Sequence, residues 1–150
     1  MGHKKKYYRK NQNTLTVAIQ AEGLRHFFPE SKVKLNKNVS MTWIGQLQPS
    51  PLSEIYTVKI KYRLSELPCV TVEEPDLISR NGKKIPHLYA NKNLCLFRFE
   101  NGEWNSQMLI ADTIVPWATL WLFYYELWQA AGIWCGSKQE HPDENMSKKP

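Results

Sequence analysis

The sequence contains three cysteines, Cys69, Cys95 and Cys135, and their spacing limits the chemistry available to them. An odd count without a CxxC pair does not supply the four clustered ligands of a structural zinc site. The same odd count is poorly suited to a disulfide scaffold. We therefore expect reduced thiols in a cytoplasmic protein without a metal or other cofactor. Cys69 follows Pro68 in a strand pattern and is expected to pack as a small hydrophobe, and no chemistry is expected of Cys135.

Cys95 is the strongest candidate nucleophile because polar side chains precede it at short range. His87, Tyr89, Asn91 and Asn93 lie just upstream, in a stretch rich in loop-forming residues. A loop can fold such groups back around a thiolate or a developing oxyanion. The same residues also fit a Cys–His hydrolase with His87 as the base, or a Cys95 that only packs in the interior. Spacing alone leaves these three possibilities open.

The segment before this loop predicts a helix followed by antiparallel strands. Asn13 or Thr14 is expected to cap a helix that runs to about Phe28, before Pro29. Alternation over residues 39–43, 56–62 and 70–72 predicts a three- or four-stranded meander. The helix should dock on this sheet through the apolar residues Leu15, Ala18, Ile19, Leu24 and Phe28.

The segments after the strands predict an irregular loop and a second helix. Residues 75–94 are rich in Pro, Asn and Gly, and a loop of this length is more often functional than idle. A helix is expected over roughly 106–131, with Pro116 as a break or kink and Gly132 as its end. Trp104 should pack beneath the Cys95 loop and fix its position.

The whole chain is expected to form one α+β domain over residues 13–136, flanked by a disordered basic tail at 1–12 and a flexible tail at 137–150. The net charge is +6, and much of the excess lies in these ends. Such runs are usually solvated, although basic tails with Tyr7 and Tyr8 could also bind nucleic acid. That function is not favoured, because the aromatic residues of 117–128 follow helical core spacing. The apolar stretch 108–133 contains charged residues, which argues against a membrane span.

The order helix, meander, Cys loop, Trp and helix resembles the ubiquitin-conjugating (UBC) fold, over roughly Val33 to Gly132. In that family a His-Pro-Asn motif precedes the active-site Cys, with the Asn eight residues before it, and here His87 stands at that position. Residues 91–96 are similar to the family's entry into the nucleophile. Residues 102–106 are similar to its Trp-Ser-Pro segment, with Gln107 in place of the Pro.

A more specific similarity is to conjugating-enzyme-like proteins of bacterial antiphage operons, particularly the cyclic-oligonucleotide-based (CBASS) systems. It lies in His87, which replaces the family's Asn, and in the stretches 113–117 and 123–128. The resemblance implies a thioester between Cys95 and the carboxyl terminus of a cGAS-like nucleotidyltransferase encoded in the same operon. At the position of the family's oxyanion Asn, the neutral imidazole of His87 could donate a hydrogen bond as Asn does, or it could shuttle a proton. No adenylating domain fits in this chain, so it either uses an activating enzyme or performs another acyl exchange.

Two positive residues beside the loop, Lys92 and Arg98, are expected to attract the carboxylate-terminated tail of that partner. The thiol of Cys95 is expected to react with iodoacetamide before that of Cys69. The alternatives to an acyl-carrying enzyme are a non-catalytic interaction module of the same fold and a Cys–His acyl hydrolase. Thiol exposure separates the module from the enzyme.

Overall fold

The structure, a computed structural model, describes residues 13–97 and 102–136. The expected tails 1–12 and 137–150, together with Arg98, lie outside the described residues. The predicted α+β class is confirmed. The elements, in chain order, are α1 (Val17–Phe27), β1 (Lys32–Asn36), β2 (Ser40–Leu47), β3 (Tyr56–Arg63), β4 (Cys69–Glu74) and α2 (Ile114–Ala131).

The four strands form an antiparallel sheet in the order β1-β2-β3-β4. Strict alternation places one face of β2 and β3 in the core, and Trp43 pairs with Ile60 across the two strands. The indole of Trp43 lies across Gly45, where a Cβ atom would fall 2.2 Å from the ring. Gly45 therefore leaves the space that this buried tryptophan occupies.

Helix α1 begins two to three residues later than expected, because Thr16 caps it. The Thr16 hydroxyl oxygen accepts a hydrogen bond from the backbone N–H of Ile19 at 3.1 Å. The predicted docking face is wrong at Ala18 and Ile19, which are exposed. The buried residues of α1 are Val17, Gln20, Ala21 and Leu24.

Gln20 is the polar member of that buried face and links α1 to the segment before α2. Its side-chain amide donates to the carbonyl of Met108 at 2.7 Å and accepts from the N–H of Ile110 at 2.8 Å. Both backbone groups would otherwise lack a partner in the interior, so these bonds offset the desolvation of Gln20 itself. This pair of bonds fixes the approach of the chain into α2.

Helix α2 begins at Ile114, so the expected start near Ser106 is wrong. Residues 106–113 form turns instead, and Pro116 lies in the first turn of the helix, where a missing N–H costs nothing. The helix therefore has no break at Pro116. Gly132 ends it in the left-handed conformation (φ 75°), as predicted. Within the described residues, no helix is long and apolar enough to cross a bilayer.

Candidate active site

The loop before Cys95 folds back on itself through a tight turn. The N–H of Tyr89 donates to the carbonyl of Asn93, and the N–H of Lys92 donates to that of Tyr89, both at 2.9 Å. Lys92 occupies the left-handed region at φ 67°, which the turn requires. The turn brings the ends of the loop together, and the N–H of Cys95 donates to the carbonyl of His87 at 3.0 Å.

The two asparagines of the loop shape and anchor this turn. The side-chain oxygen of Asn91 accepts from the N–H of Asn93 at 3.0 Å. The side-chain oxygen of Asn93 accepts from the N–H of Val70 at 2.6 Å, and the N–H of Leu94 donates to the carbonyl of Val70 at 2.9 Å. These bonds fasten the loop to β4. They show how Asn91 and Asn93 support the site, and a catalytic role for either remains a prediction.

The thiol of Cys95 is half-buried and lies beside a phenol. It donates to the hydroxyl oxygen of Tyr89 at a distance of 3.4 Å. The backbone of His87, at φ 53°, is held from a second side, because its carbonyl also accepts from the indole N–H of Trp121 at 2.9 Å. The imidazole of His87 packs against the indole of Trp134, with a centroid distance of 5.1 Å. The loop thus places His87, Tyr89 and Cys95 together.

The thiol opens into a cavity of about 470 Å³, which we call the Cys95 cavity. This volume lies within the range of about 300–1,000 Å³ that is typical of small-ligand sites. Most of the wall comes from one face of α2 and from the segment just after that helix. The lining residues are His87, Cys95, Leu96, Glu103, Trp117, Leu120, Trp121, Tyr124 and Trp134.

Trp104 lies in the core beneath the chain that leaves the loop, with 4% of its surface exposed. Its indole N–H donates to the hydroxyl of Thr113 at 3.1 Å. Its ring contacts Tyr62 edge-on at 5.7 Å and Phe97 at 6.4 Å. Through Phe97, Trp104 contacts the segment two residues beyond the nucleophile candidate and connects it to β3 and to the start of α2.

A comparison with known protein families identifies the family of this chain. The model of the family described as Type II CBASS E2 protein matches residues 20–142, which include the sheet, the Cys95 loop and α2. The chain belongs to this family. This match confirms the prediction from the sequence that the chain is a CBASS-associated, E2-like protein. Among curated proteins, no match to the chain is found.

In this E2-like protein the other two cysteines lie at the surface. Cys69 is exposed, so the predicted packing role is wrong: its side chain is on the outer side of β4, at the position between buried Pro68 and buried Val70. Cys135 is exposed as well. Both are more accessible than Cys95, which removes the steric reason for expecting Cys95 to be alkylated before Cys69. No group of three or more metal-ligating side chains occurs among the described residues.

Of the two residues predicted to attract the partner's tail, Lys92 is exposed on the turn of the loop and Arg98 lies outside the described residues. The aromatic wall of the E2-like site was not predicted from the sequence. Trp117, Trp121 and Tyr124 recur at intervals of four and three residues, which is the spacing of a single helix face, but that spacing is equally typical of a core. Trp134 joins the wall only because the chain reverses at Gly132.

Proposed function

We propose that this protein is a cysteine acyltransferase in which Cys95 accepts the carboxyl-terminal acyl group of a cGAS-like nucleotidyltransferase as a thioester. The nucleotidyltransferase is encoded in the same operon, and the transfer primes it for antiphage defence. The observation that carries the proposal is the Cys95 thiol, which lines a cavity and lies 3.4 Å from the hydroxyl of Tyr89. Membership of the type II CBASS E2 family supplies the CBASS context.

The transfer needs an activated acyl donor, either a thioester or an acyl adenylate delivered by an activating enzyme. The Cys95 sulfur attacks the acyl carbon, the bond to the leaving group breaks, and the thiol proton passes to the leaving group or to solvent. The Tyr89 hydroxyl can turn its proton toward the thiolate and stabilise it as a hydrogen-bond donor. Tyr89 is therefore placed to stabilise the sulfur as a donor once the thiol proton has left.

The tetrahedral intermediate needs a donor for its oxyanion, and the backbone restricts the choice. The N–H of Cys95 is already bonded to the carbonyl of His87 at 3.0 Å, so it can serve the oxyanion only if that bond breaks. His87 lines the same cavity, and a neutral imidazole carries an N–H that can donate. We assign the oxyanion role to His87. Lys92, exposed on the turn, attracts the carboxylate-terminated tail before activation or the acidic groups near it.

The test is intact-protein mass spectrometry of the chain co-expressed with its operon neighbours, without reductant. An adduct with the mass of the nucleotidyltransferase should form on the wild type, be released by a thiol, and be absent from Cys95→Ala. Cys69→Ala and Cys135→Ala are matched controls, since both cysteines are exposed and outside the cavity. Cys95→Ser should give an ester that resists thiols. An adduct that persists in Cys95→Ala would eliminate the proposal.

A Cys–His acyl hydrolase is the second candidate, because His87 and Cys95 line one cavity. It would consume the activated acyl donor and release the free acid, with the Cys95 adduct present only transiently. Quantifying released acid in the same co-expression reaction separates the two. A non-catalytic interaction module would give neither an adduct nor released acid.

A further inference from the structure

The walls of the Cys95 cavity suggest which substrates the thiol can accept. Six of its nine lining residues are aliphatic or aromatic: Leu96, Leu120, Trp117, Trp121, Tyr124 and Trp134. We infer that this cavity is a subsite for a large apolar side chain, carried by the acyl donor next to its carboxyl-terminal residue. The inference rests on the proposed function, because an acyl donor enters only if Cys95 is its acceptor.

The occupant is the donor because the nucleophile itself forms part of the wall. Cys95 lines the cavity, so a carbonyl bonded to its sulfur lies against the cavity wall, and the side chain of the preceding residue is within reach of the interior. A volume of about 470 Å³ is large enough for one aromatic or branched side chain together with part of its backbone. Burying that side chain against apolar walls supplies binding energy in proportion to its area.

A cation is the competing occupant, since aromatic rings attract positive charge and Glu103 also lines the cavity. The ring contacts favour the apolar side chain. Trp121 stacks on Tyr125 at 5.7 Å and contacts Trp134 at 5.3 Å, while Trp117 packs against Phe97 at 6.1 Å. The rings thus pack against one another as a wall, and the two leucines add aliphatic surface that offers a cation no attraction.

The segment after α2, residues 132–136, is built to hold this wall in place, and we call it the strap. At Gly132 the backbone is left-handed, and a Cβ atom would lie 2.7 Å from the guanidinium of Arg80. At Gly136 a Cβ atom would lie 2.5 Å from the Trp134 ring and 2.9 Å from the Tyr124 ring. The left-handed backbone favours glycine at Gly132, and the two rings leave no room for a Cβ atom at Gly136, where Trp134 lies against Tyr124 and His87.

Synthetic peptide thioesters of mercaptoethanesulfonate test the subsite without any activating enzyme. Three peptides end in glycine and differ only in the preceding residue, which is Phe, Ala or Lys. The Cys95 sulfur displaces mercaptoethanesulfonate, which leaves as the thiol after taking up the Cys95 proton. Loading is followed by mass spectrometry in the Cys69→Ala/Cys135→Ala protein. The Phe peptide should load at least about tenfold faster than the Ala peptide, with the Lys peptide no faster than Ala.

Leu120→Glu places a carboxylate at the open side of the cavity, on a helix position that is 48% exposed. It should bring the Phe-to-Ala ratio close to one, because it slows loading of the Phe peptide more than loading of the Ala peptide. Leu52→Glu adds the same charge at a fully exposed position outside the cavity and should leave the ratio unchanged. Equal loading of all three peptides, or a preference for Lys, would overturn the subsite and leave Cys95 an acyl acceptor. If no peptide loads Cys95, the proposed function itself fails.

Discussion

Substitutions at His87 can distinguish an oxyanion donor from a general base, because they change the backbone conformation and the side chain independently. The backbone is left-handed at φ 53°, and its carbonyl holds both Cys95 and Trp121. Asn adopts this conformation readily and Gly adopts it without strain, whereas the Cβ atom of Ala makes the conformation unfavourable. The conformational differences amount to about 1–2 kcal/mol. Loss of an oxyanion donor costs about 2.7–4 kcal/mol, which corresponds to roughly 100- to 1000-fold in rate.

The rate effect should therefore exceed any backbone effect, and it should follow the side chain. We expect His87→Ala and His87→Gly to lose about 100- to 1000-fold in single-turnover acyl transfer to Cys95. His87→Asn should stay within about tenfold of the wild type, since the amide donates where the imidazole does. Transfer is measured by quenched mass spectrometry. Alkylation of Cys95 by iodoacetamide, which passes through no oxyanion, is measured on the same variants and should change little.

Two results would refute this reasoning. If His87→Asn falls as far as His87→Ala, and alkylation falls with it, His87 activates the thiol as a base. If His87→Gly keeps the wild-type rate while His87→Ala loses it, only the backbone conformation matters. Thermal unfolding of each variant identifies any that fail to fold, which removes general instability as a source of the rate loss.

Three further predictions concern the rest of the molecule. A bulky maleimide should label exposed Cys69 and Cys135 before half-buried Cys95, with the order read by peptide mapping, whereas a peptide thioester should load Cys95 alone. The buried hydroxyl of Tyr62 has no hydrogen-bond partner within residues 13–97 and 102–136, so Tyr62→Phe should raise the free energy of unfolding in urea by about 1 kcal/mol, and a loss of stability would contradict this. Burial is the larger cause, and a hydrogen bond to Glu126 the next, of the raised pKa of Tyr56. The contribution of protonated Tyr56 to folding stability is therefore complete below about pH 10 and is lost as the pH rises above it. Tyr56→Phe should flatten that alkaline decline in melting temperature.

The sequence determined the features that depend on near neighbours in the chain. Alternation at Tyr56, Val58, Ile60 and Tyr62 defines a strand with one buried face, because successive side chains in a strand point to opposite sides. Gly132 ends α2 because a left-handed terminal residue favours glycine. The loop that leads into Cys95 and the family to which the chain belongs also follow from local residue order.

Contacts between segments far apart in the chain could be decided only by the tertiary structure. Gln20 is buried because it bonds Met108 and Ile110, about ninety residues away, and no periodicity of α1 indicates that polar residue as core. Cys69 is exposed because the phase of β4 against its neighbour turns it outward. The Cys95 cavity exists because the strap brings Trp134 against His87. A helix face has the same spacing whether it meets a sheet or lines a cavity, and only packing distinguishes the two.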